Sequence, residues 1–203
     1  PAVRVAIGEE FGLPAGKNSV GKIFTALRML GFDTVFDTSF SADLTVVEEA
    51  SELVYKLENG EKKYPLGNSM PLFTSCCPAW VRFVETKYPE ILPYVSTCKS
   101  PMEMFGAVIK EHYKPADQEA GVETISVAVM PCVAKKYEAA REEFKRNNVP
   151  DVDYVITTKE LILMIKELGI QFNEIEPSAP DMPFSISSGA GVIFGVTGGV
   201  MEA

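Results

Sequence analysis

At 203 residues, with 46% apolar and 23% charged side chains, the chain has the composition of one globular domain, or two small lobes, with a real core. A net charge of −9 argues against nucleic acid or an anionic membrane as partner, and no apolar run is long enough to span a bilayer. The cysteines at 76, 77, 98 and 132 do not form the framework of a small secreted domain; they suit a reducing, cytoplasmic setting with thiols kept for metal or catalysis, a periplasmic one remaining open. Pro1 in place of a methionine, and an end at Ala203 without a helix stop signal, lead us to expect a piece of a longer polypeptide.

In chain order, Val3–Ile7 is predicted as a strand, followed by a Gly-rich loop from Gly12 to Gly16. Asn18 or Ser19 then caps a helix through Val20, Ile23, Phe24, Leu27 and Leu30, stopped by Gly31. Thr34-Val35-Phe36 reads as a second short strand. A longer helix from Asp43 is predicted to bury Val47, Ala50, Val54 and Leu57 and to carry Glu49, Glu52 and Lys56 on its other face. A loop with two lysines, Pro65 and Gly67 leads to Cys76, where a strand-like segment hands over to a helix. Ser100-Pro101-Met102-Glu103 has the form of a capping box with proline at the first position, and the helix it starts ends before a loop at Pro115–Gly121. The run from Ile125 to Met130 reads as a strand buried on both faces, closed by Pro131. Val152–Ile156 is a further strand, and Thr157 with Glu160 caps a helix ending at Gly169. Strands alternating with helices predict an α/β fold with mainly parallel sheets flanked by helices.

Cys76 and Cys77 are adjacent, a spacing that strains a mutual disulfide, so the sulfurs have different partners or different tasks. Burial as two small side chains in a turn is the competing reading. Cys77 and Cys132 each follow a strand-like segment and adjoin a proline, the position where α/β sheets collect ligands. Two thiolates there suit an iron–sulfur cluster or zinc, although two are too few for a cubane. Taken alone, Glu49, Glu52 and Lys56 are a solvated helix face with one i,i+4 ion pair. Cys98 reads as a buried or spare thiol, and His112 as a packed or rim histidine. Gly189–Gly199 lacks the Gly-Lys-Ser/Thr of a phosphate loop.

The local sequences say more than the spacing. Thr74-Ser75-Cys76-Cys77-Pro78-Ala79-Trp80 and the run from Met130 to Glu138 (Met-Pro-Cys-Val-Ala-Lys-Lys-Tyr-Glu) resemble the first two signature motifs of FeFe-hydrogenases. Gly8-Glu9-Glu10-Phe11, Lys99-Ser100-Pro101 and the stretch Gly189–Ala203 extend the resemblance over essentially the whole chain. It then corresponds to the N-terminal part of the family's two-lobed catalytic domain. The family's third motif, with two further cysteines, would lie beyond Ala203.

The resemblance implies an active centre, the H-cluster, in which a 4Fe-4S cubane is joined to a diiron unit carrying CO, cyanide and an azadithiolate bridge. Cys77 and Cys132 match two of the four cubane ligands. Cys76 matches the thiol that relays a proton to the bridging amine, and Lys135 the lysine that hydrogen-bonds a cyanide. Pro1, Ala2, Pro101, Met102, Met130, Pro131, Phe194 and Val200 match the pocket wall. Glu49, Glu52 and Ser96, with Lys56 at the outer end, match the proton path to Cys76. Met102, Ala134 and Ala2 stand where the family often has glutamine, serine and serine, each removing one possible hydrogen bond to the diiron unit. The implied activity is reversible interconversion of H2 with protons and electrons. The electron partner would be ferredoxin-like, NADH-linked or a fused iron–sulfur domain. An H2-sensing homologue and a hydrogenase-like iron–sulfur carrier share the domain; Cys76 together with Glu49, Glu52 and Ser96 favours turnover, since a carrier needs no proton relay.

Overall fold

The structure is a computed structural model describing residues 2–59, 70–196 and 198–203. Pro1, the loop with Pro65 and Gly67, and Thr197 lie outside the described residues. The elements are α1 (Ala2–Ala6), α2 (Val20–Met29), α3 (Ser39–Asn59), α4 (Pro78–Lys87), α5 (Pro101–Ala120), β1 (Val127–Met130), α6 (Ala134–Ala139), β2 (Lys145–Arg146), β3 (Val149–Pro150), β4 (Tyr154–Thr157), α7 (Thr158–Glu167) and α8 (Gly189–Phe194), with short 3-10 turns between some of them.

The organising unit is a parallel pair, β1 beside β4, with Val127 opposite Tyr154 and Met130 opposite Thr157. Side chains alternate across a strand, and here the alternation separates two cores. Val129 and Ile156 pack on the first, built from Ile23, Phe24 and Leu27 of α2 with Leu161, Ile162 and Ile165 of α7. Ala128, Met130 and Val155 join Met102 and Val152 in the second. A core on each face accounts for the unbroken apolar run of β1. The fold is α/β as expected, but the described sheets are small: this pair and a β2–β3 hairpin turned by Asn147 and Asn148, at φ 52° and 65°.

Several local expectations hold. Thr157 and Glu160 form a reciprocal capping box at α7. Proline stands at the start of both α4 and α5. Others are corrected. Val3–Ile7 is helical, because docking places Val3 and Ile7, four apart, on the first core and leaves Val5 outside. The segment is tied by the Arg4–Asp37 ion pair at 2.7 Å and by the Ser19 amide donating to the Arg4 carbonyl. Thr34–Phe36 forms no strand. Val35 instead exchanges hydrogen bonds with Asp181, its amide donating to the carboxylate at 2.7 Å and its carbonyl accepting from the Asp181 amide at 2.8 Å. α5 continues through Pro115 to Ala120 rather than stopping before it.

The largest correction concerns α3. Val47, Val54 and Leu57, expected inside, are 60%, 51% and 63% exposed, and Ala50 is exposed as well. Ser41, Thr45, Glu49, Glu52 and Lys56, at helical spacing along the other face, are buried. Both stripes have the same period, so periodicity shows two faces without saying which one turns inward.

Two glycines mark close approaches. A Cβ at Gly106 on α5 would stand 2.3 Å from the Asp151 carbonyl oxygen, and one at Gly191 on α8 would stand 2.6 Å from the Ser39 carbonyl of α3. Gly106→Ala is expected to lower stability by about 1–3 kcal/mol or more, since backbone rather than a flexible side chain must give way. Urea unfolding of the variant checks this; an unchanged midpoint would mean that α5 does not press on the Asp151 segment.

Candidate functional site

The cysteine segment is held beside residues 94–98. The Phe73 amide donates to the Tyr94 carbonyl at 2.8 Å, the Ser96 amide donates back to Phe73 at 2.7 Å, and the Ser75 hydroxyl donates to the Cys98 carbonyl at 2.6 Å. These bonds set the direction in which the chain enters α4. Cys77 occupies the N-cap with extended backbone, Pro78 follows in the first turn, and the Val81 amide donates to the Cys77 carbonyl at 3.0 Å. Cys76 is half-buried and Cys77 exposed.

From the other side, β1 ends at Met130 and the chain turns through Pro131 and Cys132, the Lys135 amide closing the turn on the Cys132 carbonyl. The Lys135 ammonium donates to the Cys76 carbonyl at 2.9 Å and to Glu138 at 2.7 Å. The two cysteine motifs are therefore joined by a direct hydrogen bond. Cys132 is exposed and all four cysteines are free thiols.

Beneath them runs the polar face of α3. Lys56 pairs with Glu52 Oε1 at 3.0 Å, both side chains being almost fully buried. Glu52 Oε2 accepts from the Ser96 hydroxyl at 2.7 Å, from the Thr97 amide at 3.2 Å and from the Cys98 thiol at 3.6 Å. Glu49, 4% exposed, makes no hydrogen bond of ordinary geometry through either oxygen. Burial pushes its carboxyl up, partly offset by the Ser96 hydroxyl and the Ser75 amide, while the Glu52 charge adds to the rise. The Cys76 thiol is also pushed up, first by burial and then by the charge on Glu49, against the pull of the Lys135 ammonium. Cys76 is thus held as a thiol that carries its proton. Lys56, Glu52 and Ser96 form a bonded interior row, with Glu49 buried beside it and the half-buried Cys76 close enough to feel the Glu49 charge, and this row replaces the solvated-face reading.

The remaining expected positions divide. Met102 and Met130 meet in the second core, with Pro101 buried at the start of α5 and Pro131 exposed after β1. Phe194 and Val200 are half-buried on α8 and in the turn that follows it. α8 docks on α3 through Asp43, which accepts from the Ser188 hydroxyl at 2.9 Å and from the Gly191 amide at 2.6 Å. Ala2 is exposed on α1. Among the described residues no group of three or more His, Cys, Asp or Glu side chains is placed to hold a metal ion. Cys77 and Cys132 are both exposed, free thiols.

Three residues were not assigned a role from sequence. Cys98 is a neighbour of Glu52 rather than spare, and burial pushes its thiol up to about 12, which keeps it a donor. Glu138 anchors Lys135, a relation that the i,i+3 spacing could have signalled. Glu103 looked like the return half of a capping box. Only the Ser100 half forms, weakly, with the Glu103 amide 3.5 Å from the Ser100 hydroxyl. The Glu103 carboxyl is fully buried with both oxygens unbonded.

Burial, with the charges of Glu138 and Asp151, raises the Glu103 carboxyl to about 8, against the pull of Lys135 and Lys99. A folded-state value above the ordinary one means the native state binds the extra proton, so this contribution to stability is full at acid pH and is lost as pH rises toward about 8. Glu103→Gln is expected to remove that slope, as read by Tm against pH; parallel profiles for variant and wild type would overturn the assignment.

Comparison with known proteins gives one consistent answer. The family model "Iron only hydrogenase large subunit, C-terminal domain" matches residues 1–203. The NADP-reducing hydrogenase subunit HndD of Solidesulfovibrio fructosivorans is 48% identical over all of this chain and 34% of its own length. A solved [FeFe]-hydrogenase structure, concerned with oxygen inactivation through the 2Fe subcluster of the H cluster, superposes with a TM-score of 0.83 at 43% identity, covering 100% of this chain and 49% of that one. More distantly, Protein NAR1 of Arabidopsis thaliana is 36% identical over 87% of this chain and 40% of its own length. The chain spans between a third and a half of the length of these relatives. No helix among the described residues is long and apolar enough to cross a membrane. The shared fold, the paired cysteine motifs and the family match over the full length together place this chain in the iron-only hydrogenase large-subunit family, within its C-terminal domain.

Proposed function

We propose that this chain is part of a hydrogenase that interconverts H2 with protons and electrons, and that it supplies the proton-handling side of the active centre together with two of its metal ligands. The observation that carries the reading is Glu49, buried with neither oxygen bonded between the paired Glu52 and the half-buried Cys76 thiol, since a buried carboxyl without a partner is costly unless it holds or passes a proton.

The donor set fits the H-cluster as far as this chain reaches. Cys77 and Cys132 are exposed, unpaired thiols flanking the Lys135–Cys76 link, as suits two of the four ligands of a 4Fe-4S cubane. When bound, the cubane with its diiron unit, carrying CO, cyanide and azadithiolate, would supply the electrons and the site of heterolytic H2 chemistry. Pro101, Met102, Met130 and Pro131, with Pro1, Ala2, Phe194 and Val200, are proposed as its surroundings, and Lys135 as the cation that holds an anionic ligand.

The chain's own chemistry is proton transfer. Cys76 Sγ gives up its proton toward the pocket and is recharged from Glu49, whose carboxyl is pushed up by burial. Ser96 Oγ–H donates to Glu52 Oε2; rotation of that hydroxyl lets it donate to Glu49 and accept from a protonated Glu52. Lys56 anchors the outer carboxylate. The electron partner, ferredoxin-like, NADH-linked or a fused iron–sulfur domain, lies outside these residues.

The test is H2 evolution and uptake by the full-length protein after its metal centre is assembled. Turnover supports the reading. A protein that binds iron and sulfide without turnover would instead be a sensor or an iron–sulfur carrier. The 203 residues alone, offering two of four cubane thiolates, are expected to evolve no H2, and substantial activity from them would overturn the ligand assignment.

A further inference from the structure

One buried titratable group is left unused by the proton series. Glu103 lies in the first turn of α5 with zero exposure, and neither of its oxygens has a hydrogen-bond partner. Its carboxyl lies within electrostatic range of Glu138 on α6, Asp151 in the segment before β4, and Lys135 and Lys99, the last just before the α5 cap. Glu138 is already paired with Lys135, and Asp151 with Lys99. Arg146, largely exposed, stands 3.9 Å from Asp151 at the solvent edge. Three buried carboxyls therefore share two half-buried ammonium groups. The surplus negative charge is relieved most easily at the carboxyl with no partner.

We propose that Glu103 is a positioning residue for Lys135, held as a neutral acid that leaves the lysine shared between Glu138 and the Cys76 carbonyl, and that on ionising it draws the ammonium away from Cys76. The proton released goes to bulk water and no other bond changes. With Glu103 neutral, Lys135 meets one carboxylate and one carbonyl, at 2.7 and 2.9 Å. With Glu103 ionised, two buried carboxylates compete for the same ammonium against a neutral carbonyl, and charged acceptors win. The link between the two cysteine motifs then loosens. Glu103 thus acts through Lys135 and reaches the reacting groups only indirectly. The inference concerns the chain's own residues, so it stands or falls independently of hydrogenase turnover.

The experiment is an infrared pH titration of the full-length protein with its metal centre left unassembled, wild type against Glu103→Gln and Lys135→Met. Wild type is expected to show a protonated-carboxyl band at neutral pH that disappears with a midpoint of about 8 and is missing from Glu103→Gln. With carbonyl-13C cysteine, one cysteine carbonyl band should move to higher frequency through the same midpoint in wild type and stay fixed in both variants. Loss of the carboxyl band near the ordinary carboxyl range of about 4.5 would overturn the neutral acid. A cysteine carbonyl that does not follow the titration would overturn the positioning of Lys135. If Glu103→Gln does not fold, the wild-type titration with 13C-labelled glutamate still decides the first point, and Lys135→Met the second.

Discussion

Replacing Cys76 by serine in the full-length enzyme is expected to cut turnover by about 10²–10⁴-fold, the range for loss of a positioned acid–base group, while leaving the iron content unchanged. Serine keeps the size and a hydroxyl proton, but under the proposed role the thiol at this position, within the influence of the Glu49 charge and the Lys135 ammonium, must both hold and release a proton. An alcohol is too weak an acid to do the same. The adjacent Cys77, exposed at the N-cap of α4, is the proposed metal ligand, and its replacement should lower iron content instead. Iron analysis beside an H2 assay separates the two. Iron loss from Cys76→Ser with iron retained in Cys77→Ser would mean that the roles are exchanged.

Glu52→Ala is expected to act on stability as well as turnover. Glu52 is the hub of the buried series: it holds Lys56 through one oxygen and takes three donors, from Ser96, Thr97 and Cys98, on the other. Removing one partner of a buried ion pair costs about 3–5 kcal/mol, because the charge left behind stays desolvated. Under the proposed role, proton delivery also stops at Ser96 and turnover falls by about 10²-fold or more. Glu52→Gln should recover much of the stability, since the amide oxygen can still accept, but little of the turnover, since an amide does not exchange protons as a carboxyl does. Denaturant midpoints and H2 rates for the pair test this. A Glu52→Gln enzyme with full turnover would remove Glu52 from the proton series.

Much of the local structure was legible from short-range chemistry. The capping box of α7, the prolines opening α4 and α5, the left-handed Gly121 and Gly169 after two helices, and the strand before Pro131 all follow from which backbone groups need partners within a few residues. The failures share one cause. Val3–Ile7, Thr34–Phe36 and both faces of α3 are short or two-sided patterns compatible with more than one conformation or orientation. In each case a residue far along the chain decides: Asp37 for Arg4, Asp181 for Val35, and Ser96 for Glu52.

The same division holds for the site. The sequence by itself carried the identity of the domain and, through the resemblance of its two cysteine motifs, the two thiols proposed as metal ligands, whereas the hydrogen bond that joins those motifs through Lys135 came from the tertiary structure. The tertiary structure decided that Glu49, Glu52 and Lys56 are an interior row rather than a solvated face, that Cys98 serves Glu52, and that Glu103 is a buried acid rather than a cap. The physical reason is desolvation. Whether a carboxyl is a surface charge or a proton-holding group depends on the water and partners around it, and those are set by segments tens of residues away in the chain.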